Sequence, residues 1–253
     1  MNKKKVLKKI FAVTLSVATF FSLCLGVDFV NADEVFNGSQ KREIPIYNVD
    51  TTEKLVSISF DCAWGVEYTD QMLSVMEKYG VKSTFFCVQF WVEKYPDYVK
   101  KISNMGHEVE THSSTHNYMS KLSKEKIKEE LLSSKKAIED ITSKEVTLFR
   151  PPYGDYNDKL VLTAKEVGLY TVQWDVDSLD WKGLSKEKIT ERVLKKVKAG
   201  SIILCHNNAP HTAEALSGIF ETLLSQGYKF VPIGELIYKD NYYVDSLGTQ
   251  HKK

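Results

Sequence analysis

From Leu55 to Pro232 the chain alternates short apolar runs with longer amphipathic stretches, a pattern few architectures satisfy. The runs Leu55–Phe60, Ser83–Val88, Glu108–Thr111, Val146–Phe149, Tyr170–Trp174, Ser201–Cys205 and Lys229–Pro232 read as strands. The intervening stretches, including Thr69–Tyr79, Lys124–Ile141, Asn157–Val167, Lys186–Lys198 and Thr212–Gln226, read as helices. In Lys124–Ile141 the apolar residues Ile127, Leu131, Leu132, Ala137, Ile138 and Ile141 recur near helical spacing, with Ser123 as an N-cap. Gly80, Gly106, Gly168, Gly200 and Gly227 each precede a strand, mostly where a helix must end. Strands separated by helices pair in parallel, and about seven such units fit a barrel-like closure better than an open two-sided sheet. The chain has neither a Gly-x-Gly-x-x-Gly nor a phosphate loop to suggest a nucleotide.

The N-terminus reads differently. Lys3, Lys4, Lys5, Lys8 and Lys9 precede an apolar stretch from Ile10 to Val27, and Val30-Asn31-Ala32 resembles a signal-peptidase site. Residues 1–32 are therefore expected to be a cleaved signal peptide, with an uncleaved membrane anchor as the alternative. Residues 33–54 are polar and read as a linker, residues 55–240 as the domain, and residues 241–253 as a polar tail. The exported part carries 29 basic and 32 acidic residues, a net charge of −3, which gives nucleic acid no basic surplus. The expected location is outside the cell, with membrane contact only through the N-terminal segment. Three cysteines remain, Cys62, Cys87 and Cys205, too few for a disulfide scaffold. Plain thiols are expected, with a Cys62–Cys205 pair as the alternative.

Polar clusters sit where the strands stop: Phe60-Asp61-Cys62, His112 to His116, Arg150-Pro151-Pro152-Tyr153-Gly154, Asp177 to Trp181, and Leu204-Cys205-His206. In a parallel α/β architecture such ends converge on one pocket. His112 and His116 are four apart, so if they open a helix both imidazoles share one face and suit one divalent cation, zinc being the usual tenant. Asp61 is placed to take a proton from water, and Arg150, stiffened by two prolines, to orient that carboxylate and keep it ionised. His206 is placed to protonate a leaving amine, with Asp180 behind its imidazole and Trp181 as an apolar wall. His107 and His251 have no chemical case.

Taken together and in this order, the clusters resemble the polysaccharide deacetylases of carbohydrate esterase family 4, the NodB-homology domain, over Leu55 to Ile237. The resemblance implies a distorted (β/α) barrel of about seven parallel strands that hydrolyses acetyl groups on glycans with one divalent metal. It implies Asp61 as base, His206 as acid, His112 and His116 as metal ligands, and Arg150 and Asp180 as their respective partners. The backbone N–H of Tyr153 would join the metal at the oxyanion, and Pro152, Trp181 and Leu204 would contact substrate. The implied partner is a polysaccharide, peptidoglycan or chitin-like, met by a monomer. Removal of N-acetyl from peptidoglycan leads; an O-acetyl esterase and a non-catalytic glycan-binding relative are the alternatives.

One departure matters. The family usually reads Asp-Asp-Gly where this chain has Asp61-Cys62-Ala63-Trp64-Gly65, so the second carboxylate, a metal ligand, is absent. The Phe-Asp-x-Ala-Trp-Gly run is similar to the sporulation-associated branch of the family. Either a Cys62 thiolate completes a His2Cys site, or two histidines bind alone with water filling in; Glu110 is a weaker candidate to compensate.

Overall fold

The computed structural model of the chain defines residues 42–253; the expected signal peptide or anchor and the first part of the linker lie outside the described residues. Eleven strands occur within that range: β1 (Asn48–Val49), β2 (Leu55–Cys62), β3 (Thr84–Cys87), β4 (Glu108–Thr111), β5 (Leu148–Phe149), β6 (Tyr170–Thr171), β7 (Val176–Asp177), β8 (Ile202–His206), β9 (Lys229–Phe230), β10 (Tyr242–Val244) and β11 (Thr249–Lys252). Seven pair in parallel in the order β6-β5-β4-β3-β2-β8-β7, and β9 adds to the start of β2. This is the distorted (β/α) barrel expected.

The distortion has a local cause. The strand expected over Tyr170–Trp174 ends at Thr171 and resumes at Val176, so the two edges of the sheet are consecutive in sequence. Four residues between them redirect the chain from β5 to β8. Asp175 holds the bend, accepting the Ile202 N–H and the Ser201 hydroxyl, both at 2.9 Å.

Part of the expected linker belongs to the domain. The Ile46 N–H donates to Thr171, Gln173 donates back to Ile46, and Asn48 bridges to Ser201, so residues 46–48 lie across the gap between the sheet edges. β1 also pairs in parallel with β11, and β10 pairs antiparallel with β11, making a three-stranded sheet from the supposed linker and tail. Polar composition concealed this, because short edge strands need few apolar residues. Gly200 makes the close approach possible: at φ 79° a Cβ there would stand 1.7 Å from the Val49 carbonyl oxygen.

Alternation divides the barrel into two cores. Ile58, Phe60, Cys62, Phe85, Cys87, Ile203 and Cys205 face the helices and pack in the larger cluster. Phe86, Leu148 and Ile202 face inward with Ile46, Val49, Ile233 and Leu236, which plug the barrel below. Ser57 and Ser59 also turn inward and donate to the Val231 and Ile203 carbonyls. The helices Thr69–Tyr79, Lys124–Thr142, Asp158–Glu166, Lys186–Lys196 and Thr212–Ser225 match the expected segments, and two further short helices, Gln89–Lys94 and Pro96–Asn104, cover the passage from β3 to β4. Among the described residues no helix is long and apolar enough to cross a membrane.

Candidate active site

Every polar cluster singled out in the sequence lies at the C-terminal end of a barrel strand. Asp61 and His206 are register partners on the adjacent strands β2 and β8, which puts a carboxylate and an imidazole on one face, one strand apart. Arg150 follows β5 and is fully buried; its Nη1 donates to Asp61 Oδ1 at 2.8 Å and its Nη2 to the Gln173 carbonyl at 3.2 Å. The Phe86 ring lies 4.1 Å from the guanidinium carbon, so the cation is held from below as well. Burial works to raise the Asp61 pKa, but the neighbouring His112, Arg150 and His206 outweigh it and hold the carboxyl below its usual range.

Asp180 is the second anchored carboxylate. Its Oδ1 accepts from His206 Nδ1 at 2.8 Å and the Trp181 N–H at 2.9 Å; its Oδ2 accepts from the His206 N–H at 2.7 Å and the Thr212 hydroxyl at 2.6 Å. The imidazole is thereby fixed in place with Nε2 unencumbered by Asp180. Burial alone would lower the His206 pKa, yet the bond to Asp180 and the surrounding carboxylates raise it.

The histidine pair is brought together by a route other than the one expected. His112 and His116 stand on an irregular loop after β4, where Ser113 (φ 74°) and His116 (φ 57°) take left-handed conformations, and no helix begins there. The ring centroids are 5.0 Å apart. His112 Nδ1 lies 2.7 Å from the Arg150 carbonyl; since a carbonyl only accepts, Nδ1 carries the proton and Nε2 presents its lone pair, 3.5 Å from Asp61 Oδ2. The loop hangs on Glu130, a buried residue of the Lys124–Thr142 helix, which accepts the N–H groups of Ser114 and Thr115 and the Thr115 hydroxyl at 2.7–3.0 Å. Sequence reasoning missed Glu130: it looks like one more charged residue on an amphipathic helix.

Burial depresses both imidazole pKa values, that of His116 to about 4, with the neighbouring His112 adding to the effect. Two neutral imidazoles, one with its tautomer fixed by a carbonyl, fit a divalent cation. The third ligand does not follow. Cys62 lies on the helix-facing side of β2 with Ile58 and Phe60, opposite in direction to Asp61, and its Sγ contacts the Phe60 carbonyl at 3.8 Å. Burial, together with the neighbouring Cys87, pushes its thiol pKa well up, so the thiolate-ligand alternative is set aside. Glu110 is spoken for as well, accepting the Thr147 and Leu148 N–H groups at 2.9 and 2.7 Å and so steadying β5 below Arg150. Among the described residues no group of three His, Cys, Asp or Glu side chains is arranged to hold a metal. Cys62, Cys87 and Cys205 are all free and buried, against the alternative of a disulfide.

The remaining residues line the same end. Tyr153 has a left-handed backbone (φ 61°, ψ 7°), and the neighbouring loop bonds are donated by Gly154 to Pro151 and Asp155 to Pro152. Pro152 is buried beside it, Leu204 faces inward two residues before His206, and Trp181 is exposed next to Asp180. Trp64, which sequence reasoning assigned no role, stands edge to face on His116 with centroids 5.1 Å apart.

A barrel with these groups at its strand ends defines a class, and comparison with known proteins identifies it. The profile of the family described as polysaccharide deacetylase matches residues 48–172. The chain is 39% identical over 196 residues, 76% of its length and 92% of the relative's, to a peptidoglycan-N-acetylglucosamine deacetylase of Bacillus cereus. It is 36% identical to the longer Listeria monocytogenes peptidoglycan-N-acetylglucosamine deacetylase PgdA, covering 73% of this chain but 39% of that one. Among solved structures it superposes with a TM-score of 0.74 on a family 4 pseudoenzyme from Bacillus anthracis, at 34% identity over 83% of this chain and 73% of that one. A mutant of that protein with restored enzymatic activity aligns at 37% identity, with the same TM-score, over 76% and 70% of the two chains. The chain belongs to the polysaccharide deacetylase family of carbohydrate esterases.

Proposed function

We propose that this protein is an exported hydrolase that removes N-acetyl groups from the amino sugars of peptidoglycan, in the cell wall or the spore envelope. The observation that carries the reading is the opposed pair Asp61 and His206, set in register on adjacent strands, each fixed by its own buried partner. Asp61, kept ionised by Arg150, takes the proton of the attacking water. His206, kept protonated by Asp180, delivers a proton from Nε2 to the departing amine. The Tyr153 N–H donates to the oxygen that gains charge, a role its left-handed backbone supports. Leu204, Pro152 and Trp181 enclose the acetyl methyl and exclude water. His112 and His116 are the residues that would hold a divalent cation, zinc being the usual choice of imidazole ligands, and it would supply polarisation of the acyl carbonyl. All of these groups come from one chain, which is consistent with a monomer.

A second reading has its own support: the missing carboxylate at Cys62 and the likeness to a pseudoenzyme favour a glycan-binding protein without turnover. Acetate release from N-acetylated peptidoglycan separates the two. Release by the wild-type protein that disappears in Asp61→Asn and in chelator is the expected result; glycan binding with no acetate from any substrate establishes the second reading instead.

A further inference from the structure

Four large aromatic side chains at the mouth stay open to solvent, and three of them, Trp64, Tyr118 and Tyr153, with 56%, 48% and 57% of their surfaces exposed, stand apart from Trp181. They are joined in one row. Trp64 meets His116 at 5.1 Å, His116 meets Tyr153 at 4.6 Å, and Tyr153 stacks on Tyr118 at 4.4 Å with 18° between the rings. Trp64 is set by its neighbour Gly65, whose carbonyl accepts from Trp91 Nε1 and Asn207 Nδ2 at 2.7 and 2.9 Å. Because His116 lies beside His112, and His112 beside Asp61, the row starts at the reacting centre and leads away from it.

The far end of the row is a cation. Lys121 Nζ stands 4.7 Å from the Tyr118 ring centroid. The nearby Lys124, Lys126 and Lys128 are paired with glutamates, whereas Lys121 rests on the aromatic ring. Asp155 accepts the Ser120 N–H at 3.1 Å. Exposed aromatic rims suit the C–H edges of sugar rings, and each step along the row is comparable to one such ring. Solvated tyrosines and tryptophan gain nothing for the fold by staying exposed, so their grouping at one mouth points to a ligand.

We propose that this row is the subsite for the sugar next to the one that loses its acetyl group, and that Lys121 reads a carboxylate on that neighbour. The chemistry selects a glycan whose alternate sugars carry a free acid, as the lactyl ether of a muramic acid without a stem peptide does, over a neutral chitin-type chain. The inference rests on the deacetylase reading for the position of the reacting sugar.

The test is direct binding to Asp61→Asn protein, which removes turnover, with three tetrasaccharides. One is chitotetraose, the second alternates N-acetylglucosamine with N-acetylmuramic acid, and the third is the second with its lactyl carboxyls methyl-esterified. The acid form should bind about two- to fivefold more tightly than the ester at low ionic strength, the range of one exposed ion pair. Added salt should erase that advantage, and Lys121→Met should abolish it while leaving chitotetraose binding unchanged. Tyr118→Leu should weaken all three. An acid-to-ester ratio unaltered by Lys121→Met overturns the assignment, as does equal binding of acid and ester by the starting protein. Failure of all three to bind overturns the glycan reading itself, a result the acetate assay reports independently.

Discussion

The two ends of the barrel follow opposite rules. Away from the mouth most polar groups are matched, His107 Nε2 being an exception, and among the described residues positive φ outside glycine falls there at the helix end Ser143 and at Asn241: Ser57 and Ser59 bond to carbonyls, Glu108 accepts from Thr84 and Gly234, and Ile46, Val49, Ile233 and Leu236 fill the middle. At the upper end Ser113, His116, Tyr153 and Leu179 all have positive φ without being glycine, and four large aromatic side chains face solvent. Strained backbone in a side-chain-bearing residue costs about 1–3 kcal/mol and persists only where the surroundings impose it. The lower end therefore closes the fold, and the upper end spends some of that stability on holding imidazoles, a carboxylate and an N–H in fixed directions.

This contrast makes separable demands on variants. The largest effect is expected at the top: Asp61→Asn should lower kcat by about 10²–10⁴, the usual contribution of a general base, as read by acetate release. At the bottom, Gly200→Ala should cost about 2–4 kcal/mol in denaturant unfolding, because a Cβ meets the Val49 carbonyl at positive φ. The folded fraction of that variant should keep its rate; a selective loss of rate would show that closure and chemistry are coupled. Glu130→Ala removes the acceptor for three donors of the histidine loop and, on the proposed reading, should weaken divalent-cation binding about 10–100-fold, measured by competition with a chelating dye.

The pH responses should divide the same way. Asp61 must be ionised and His206 protonated, so the rate should hold from acidic pH up to the raised His206 pKa. Asp180→Asn removes the group that raises it, and the alkaline limb of kcat/KM should move to lower pH. A limb that stays put would assign it to another group. His107, buried just before β4, has its pKa lowered to about 4 by burial and by Lys82 and Lys144. The fold favours its neutral form, so this contribution to stability is complete above about pH 6.5 and is lost as the pH falls toward 4. His107→Gln should flatten that acid slope in thermal melts, leaving the position of the alkaline rate limb unchanged.

How far the sequence revealed these features depended on how local their causes are. Asp61, Arg150 and His206 stood out because an apolar strand ends beside each, and strand ends in a parallel barrel share a mouth. The facing of Cys62 was also present in the alternation of Val56, Ile58 and Phe60, which puts position 62 among the helix-facing residues. The conformation of the histidine loop had little such signal, since Ser113 is not a residue type that announces a left-handed backbone and the enrichment of histidine there is too weak to single out His116. Glu130 and the pairing of β1 with β11 were hidden for a related reason: their roles arise from partners 15 to about 200 positions away, which no periodicity encodes.

The bend between β6 and β7 has a consequence for how copies of the protein meet. A single strand that leaves one border of the sheet and arrives at the other, with residues 46–48 laid across the opening, shields hydrogen-bonding groups that another copy would otherwise recruit. The main sheet is thereby protected from intermolecular strand exchange.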